Sequence, residues 1–345
     1  MVNKHDIMSH LHGVHIDGIH AREEASKLMV FIKNWTLPIA ILAGIASYFI
    51  YINIHWLDDT HTFVNEAVGI LQPMLIFVML FLTFLTIGPR DLHLRRWHLW
   101  HTLIQIAFFG IAAIALTFMA DTPWRIIVES AMLCLLCPTA TAAAVVTRKL
   151  DGNPADITTY TIIINMAIAV TAPALLPIAH PQEGMTFFPT FGMIMGKVFP
   201  LLICPLLAAW TVRRFLPRLA EALRRYRDLP FYIWSVSLSL AIAVTVKAIV
   251  HSNVPVIYEI GIGIVTLLSC LLQFWLGKRI GTHYGETIEG GQALGQKNTV
   301  LIIWMGYTFL SPVTAMAGGL YSVWHNIFNS YQLYKKRKEE EKEEA

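Results

Sequence analysis

Charge is what this sequence has least of. Only 14% of its 345 residues are Asp, Glu, Lys or Arg, while 55% are apolar; an ordinary soluble domain carries about 25% charged residues. The charges are clustered, which leaves long stretches with almost none. That distribution excludes a soluble enzyme, a disordered chain and a secreted disulfide scaffold. The 26 Lys and Arg against 23 Asp and Glu leave a net charge of +3, too small for a nucleic-acid partner, because phosphate binding needs concentrated positive charge. Cysteine is also scarce. Cys134, Cys137, Cys204 and Cys270 all sit in apolar runs. Cys134 and Cys137 have the CxxC spacing, but no second pair or His pair follows at zinc-binding distance, so they read as small packing residues. The first 30 residues lack the apolar core of a cleavable signal peptide. No HExxH spacing occurs. No nucleotide-binding loop occurs either, so no ATPase partner is implied.

What is there is a series of apolar runs bounded by charge clusters, the pattern of a polytopic all-α membrane protein in the plasma (inner) membrane. Ten spans are expected, at about 35–54, 69–88, 99–119, 123–148, 157–179, 189–211, 230–250, 255–277, 285–310 and 312–331. They divide the chain into an N-terminal cytoplasmic or interfacial segment (1–34), a first five-helix repeat (35–180), a second (189–331) and a charged tail (332–345). Of the 26 positive residues, 22 fall on one side of this alternation: the N-terminus, the loops after even-numbered spans, and the C-terminus. The opposite side carries Asp58, Asp59, Glu66 and Glu183 instead. The positive-inside rule then puts both termini in the cytoplasm. Five N-terminal histidines (His5, His10, His12, His15, His20) match no defined metal site and suit an interfacial lead into the first span. The stretch 213–227 reads as an amphipathic helix on the inner leaflet, and KKRKEEEKEEA as a solvated helix end or disordered tail.

Spans four and nine differ from the rest. Pro138 removes a backbone donor in the middle of the fourth, with Thr139 and Thr141 close behind. The ninth is interrupted by Gly290, Gly291 and Gly295, and by the polar run Gln296-Lys297-Asn298-Thr299 near mid-membrane. Each is the fourth span of its half. Paired interrupted helices at matching places in two halves point to a secondary transporter's binding site, and an odd span count per half makes the repeats inverted. The freed helix N-termini favour anions and the C-termini favour cations.

At these segments the chain resembles the bile acid:sodium symporter family. Cys137-Pro138-Thr139-Ala140-Thr141-Ala142-Ala143-Ala144-Val145, followed by Asp151-Gly152-Asn153, is similar to the family's fourth-helix signature. Ala293-Leu294-Gly295-Gln296-Lys297-Asn298-Thr299 is similar to its ninth-helix signature. Gln105 is placed like a glutamine of a sodium site. The resemblance implies two inverted five-helix repeats forming a panel domain and a core domain, with helices four and nine crossing. It implies transport of a bile-acid-like or small carboxylate anion by alternating access, and a substrate site lined by Thr139, Thr141, Gln296, Lys297, Asn298 and Thr299. The chain departs from the family at the cation site. Ala143 and Ala144 stand where the family has Ser and Asn, Ala293 where it has Glu, and Lys297 where it has Gln. Sodium, a hard cation, needs several oxygen ligands, and three alanines offer only carbonyls.

Gln105 and Lys297 are therefore the cation-site candidates, with Lys297 expected to replace a sodium ion. A Lys at the centre of a membrane helix costs about 2.5–3.5 kcal/mol on insertion scales, so it needs a role or a partner there. Na+ or H+ is the candidate coupling ion; no resident metal or organic cofactor is implied. The partners are the lipid bilayer and a small organic anion. The alternative is a membrane-embedded sensor or enzyme on a degenerate transporter fold. Its raw material is His98 and His101, placed at the inner interface, Glu129, Glu259 and the N-terminal histidines. The charge asymmetry gives a direct test of orientation. A fluorescent-protein fusion after Ala345 is expected to fluoresce in the cytoplasm, and an alkaline phosphatase fusion there to be inactive; the reverse pattern would invert the topology.

Overall fold

The structure, a computed structural model, describes residues 36, 38–119, 122–182, 184–226 and 229–343. The N-terminal histidine segment and Glu183 lie outside the described residues. The described residues form helices α1 (Pro38–Ile52), α2 (His61–Leu85), α3 (Arg96–Thr117), α4 (Arg125–Leu136), α5 (Ala143–Lys149), α6 (Pro154–Ala179), α7 (Phe187–Phe215), α8 (Pro217–Arg225), α9 (Leu229–Val250), α10 (Val256–His283), α11 (Thr287–Gly295), α12 (Thr299–Phe309) and α13 (Pro312–Glu343). Six single helices are long and apolar enough to cross a membrane: α2, α3, α6, α7, α10 and Tyr232–Val250 of α9. The other expected spans fall on the short apolar α1, on the interrupted pairs α4–α5 and α11–α12, and on α13, whose apolar first half runs unbroken into the charged tail. Each unbroken helix pairs its own interior N–H and C=O groups, as a lipid environment requires.

By packing, the helices form two sets. In one, α2 lies against α7 and α9, while Ala40 of α1 packs on Leu238 and Ile242 of α9. In the other, α10 joins α4, α11 and α13, and α3 joins α4 and α6. Contacts of α6 with α7, and of α12 and α13 with α9, connect the sets. The larger apolar core runs through both, from Ile76 and Phe84 to Phe274 and Met305.

The glycines of the ninth span act differently from the sequence reading. Gly290 and Gly291 lie inside α11 rather than breaking it. They form a contact face with α10: a β-carbon on Gly290 would lie 2.4 Å from Gly277 O, and one on Gly277 would lie 2.3 Å from Gly290 O. Small residues let the two backbones touch. Gly285, at φ +76° in the left-handed region, turns the chain between α10 and α11, and Glu286 N closes the turn on Gly281 O at 2.8 Å. The arginine-rich stretch is also redrawn. Arg213 and Arg214 extend α7, and the amphipathic helix is the shorter α8 beyond Pro217. The tail is helical through Glu343 rather than disordered, with Lys336 reaching Glu340 at 3.3 Å and Asp151 at 2.5 Å.

The glycine contact sets a stability prediction. Gly290→Val forces branched carbons into the α10 backbone and is expected to cost at least the 1–3 kcal/mol typical of overpacking. Gly192→Val, where a β-carbon meets nothing within 4 Å, is the control. The readout is the melting temperature and yield of monodisperse protein; equal behaviour of the two variants would contradict the contact.

Candidate functional site

Proline chemistry sets the first break. The residue before a proline is pushed out of the helical region, and Cys137 accordingly sits at ψ 138°, ending α4. The chain then runs unwound from Cys137 to Ala142 before α5 begins. In the second break, Gln296 is extended at ψ 98°. Asn298 starts α12 by accepting the Leu301 N–H on its side-chain oxygen at 3.2 Å, the role for which Asn is favoured at helix starts.

The two unwound segments cross and pair with each other. Thr139 and Lys297 form an isolated antiparallel bridge. Asn298 N donates to Pro138 O at 2.9 Å and Ala140 N donates to Gln296 O at 2.8 Å. The Thr139 hydroxyl donates to Ala293 O at 2.6 Å. Side chains from neighbouring helices serve the remaining carbonyls. From α3, Gln105 Nε2 donates to Leu136 O at 3.1 Å and to Cys137 O at 2.7 Å, and its oxygen accepts from Tyr160 of α6 at 3.4 Å. From α13, the Tyr321 hydroxyl donates to Gly295 O at 2.8 Å and accepts from Gln273 of α10 at 3.1 Å. A second Gln273 bond reaches Cys134 O at 3.3 Å.

The structure brings Thr139, Gln296, Lys297, Asn298 and Thr299 together at this crossing, all buried. Thr141 follows on the turn into α5 and is half-buried. Three polar atoms here lack a hydrogen-bond partner: Gln296 Oε1, Lys297 Nζ and Asn298 Nδ2. Lys297 is only 1% exposed. The Cys137 and Cys134 thiols and the His101 ring are its ionisable neighbours, and among the described residues no carboxylate pairs with it. A buried amino group without a hydrogen bond is costly, so Lys297 Nζ is an unmet polar group at the crossing. The sodium candidates fit less well. Ala143, Ala144 and Ala293 carry no side-chain oxygen, Ala293 O is engaged by Thr139, and the Gln105 amide is spent on capping α4. Among the described residues no group of three or more His, Cys, Asp or Glu is arranged to hold a metal.

The residues of an enzymatic reading do not converge. His98 and His101 are buried in the packing, and the His101 ring links Trp97 O at 2.9 Å to Gly290 O at 3.1 Å. Glu129 lies on the second turn of α4, where Arg125 at 3.1 Å, His180 at 3.0 Å and Thr314 at 3.2 Å hold it. Glu259 lines an apolar groove with Ile260, Met316 and Trp324.

Sequence reasoning missed Tyr160, Gln273 and Tyr321. A signal was present: a Gln on the third span and a Tyr on the fifth span of each half, Gln105 with Tyr160 and Gln273 with Tyr321.

No known family model matches the chain. Over 236 residues, 67% of this chain and 68% of the relative, it is 25% identical to the uncharacterized sodium-dependent transporter YocS of Bacillus subtilis (strain 168).

Removing the Tyr321 hydroxyl tests the capping. Tyr321→Phe leaves Gly295 O without its donor in the core, an expected loss of about 1–3 kcal/mol, seen as a lower melting temperature in detergent. Tyr331→Phe, at an exposed position, is expected to melt like the wild type.

Proposed function

We propose that this chain is a secondary transporter of an organic anion, in the plasma membrane, and a member of the bile acid:sodium symporter family. The homology to a protein named as a sodium-dependent transporter and the six membrane-length helices support a transporter. The paired breaks and the repeated Gln–Tyr pair support ten spans in two inverted repeats. The packing supports a panel of α1, α2, α7 and α9 beside a core of α3–α6 and α10–α13. Alternating access is then a movement of the core against the panel, with the crossing carried between the two sides.

One observation carries the anion: the buried, unpaired Nζ of Lys297. A substrate carboxylate supplies its countercharge and accepts from Asn298 Nδ2, while the N-terminus of α12 adds a favourable dipole. Lys297 also supplies the fixed positive charge that sodium gives in relatives, so transport is sodium-independent, and a proton is the remaining coupling ion. The substrate is a bile-acid-like molecule or a small carboxylate.

Uptake of cholate and of pyruvate into proteoliposomes tests this reading. Replacing sodium by potassium or choline is expected to leave the rate unchanged. Thr141→Val and Asn298→Ala are expected to reduce uptake at least several-fold in folded protein, and Lys297→Ala to abolish it. A strict sodium requirement, or full activity of Lys297→Ala, would defeat the assignment; binding or conversion without flux would favour a sensor or an enzyme.

A further inference from the structure

Four positive residues fall outside the charge-rich side of the chain: Arg125, Lys197, Lys247 and Lys297. Arg125 is paired with Glu129 at 3.1 Å. Lys247 donates to Asn65 Oδ1 at 2.6 Å, and Lys297 lies at the crossing. Lys197 has neither a carboxylate nor a polar acceptor among the described residues; its ammonium stands 5.9 Å from the centre of the Phe309 ring. On α7 it is ten positions past Phe187 and sixteen before Arg213. At a rise of 1.5 Å per residue, its Cα lies about 15 Å from the first and about 24 Å from the second. A lysine so far inside an apolar span faces the bundle interior or a water-filled cavity.

Its surroundings point to a cavity. Residues three, four and seven apart share one helix face. On that face of α7, Thr190 is 2% exposed, Ile194 2% and Leu201 6%, yet Lys197 between them is exposed. A lipid-facing stripe would leave all four open, and continuous packing would cover all four. The packed face of α7 is therefore interrupted by an opening at Lys197. The Phe309 ring marks the other wall. Phe309 ends α12, about 15 Å along that helix from Thr299 at the crossing, and its carbonyl accepts from Gln182, between α6 and α7, at 3.2 Å. A ring face attracts a cation, but it does not take up the three N–H donors of an ammonium. Those donors stay available to an anion.

We infer that Lys197 is a second anion-binding residue, which takes the carboxylate of the substrate in the opening between α7 and α12 before the anion reaches Lys297; the assignment rests on the transport reading above. The two lysines mark opposite ends of α12, Lys297 beside its first turn and Lys197 beside Phe309. The same side of the span alternation carries Asp59 and Glu66, whose charge repels an anion. An ammonium without a counterion, set between low-dielectric walls, reverses that sign locally and draws the anion into the opening. Because Lys197 is exposed, its hold on a carboxylate is weak and screened by salt. That suits a residue that must pass its anion on.

Chemical labelling of the purified full-length wild type reads this site without transport. A water-soluble amine-reactive ester, followed by mass spectrometry of the peptides, is expected to acylate Lys197. Pyruvate or cholate is expected to slow that acylation several-fold and to leave the rate at Lys149, exposed on α5, unchanged. In proteoliposomes, Lys197→Ala is expected to raise the KM of the transported anion several-fold with the maximal rate little changed, the pattern of lost binding rather than of a lost transport step. It is also expected to flatten the fall of uptake with added salt, and Lys197→Arg to restore both. A Lys197 that escapes acylation, one acylated equally with and without both anions, or a KM unchanged in Lys197→Ala would overturn the assignment. If the wild type moves neither anion, the transport reading fails, and protection of Lys197 by pyruvate or cholate still decides whether it binds an anion.

Discussion

Everything at the centre of this molecule follows from one constraint: backbone N–H and C=O groups inside a membrane protein have no water to fall back on. Breaking one membrane helix would leave several of them stranded. Breaking two at the same place lets each broken strand serve the other. The bonds Asn298 N to Pro138 O and Ala140 N to Gln296 O do this, and the bridge Thr139–Lys297 fixes their register. The carbonyls left over at the ends of α4 and α11 are met by Gln105 and Tyr321. These caps are why polar side chains recur inside the otherwise apolar helices α3, α6, α10 and α13.

Against that background the unpaired groups are informative. The crossing satisfies its backbone fully enough to hold a fixed shape, yet leaves Lys297 Nζ, Asn298 Nδ2 and Gln296 Oε1 open.

Much of this was legible in the residues. Long uncharged runs announced the helices, because burying their backbone needs little more than apolar length. Pro138 announced the first break, because it cannot donate. Lys297 announced itself by its cost. Other features were hidden for physical reasons. Gly290 looks like a helix breaker in isolation, but its role depends on the approach of Gly277, thirteen positions away on another helix. The bond from the Thr139 hydroxyl to Ala293 O joins residues far apart in sequence and shows only in the fold. Gln273 and Tyr321 are distant in sequence and unremarkable singly; only their repetition of Gln105 and Tyr160 marks them. The aromatic packing of Trp97 and Tyr160 around His98 and His101 was hidden too, because Tyr160 is distant in sequence.

The central claim is that Lys297 holds the substrate anion in place of a sodium ion. Thermal stability in the presence of a panel of carboxylates, measured in sodium-free choline buffer, tests it most directly. A ligand at 100 times its dissociation constant stabilises by about 2.7 kcal/mol, enough to raise the melting temperature visibly. The expected result is that at least one carboxylate stabilises the wild type equally with and without sodium, and that Lys297→Gln, itself folded, loses the effect. Stabilisation that requires sodium, or that survives in Lys297→Gln, would contradict it.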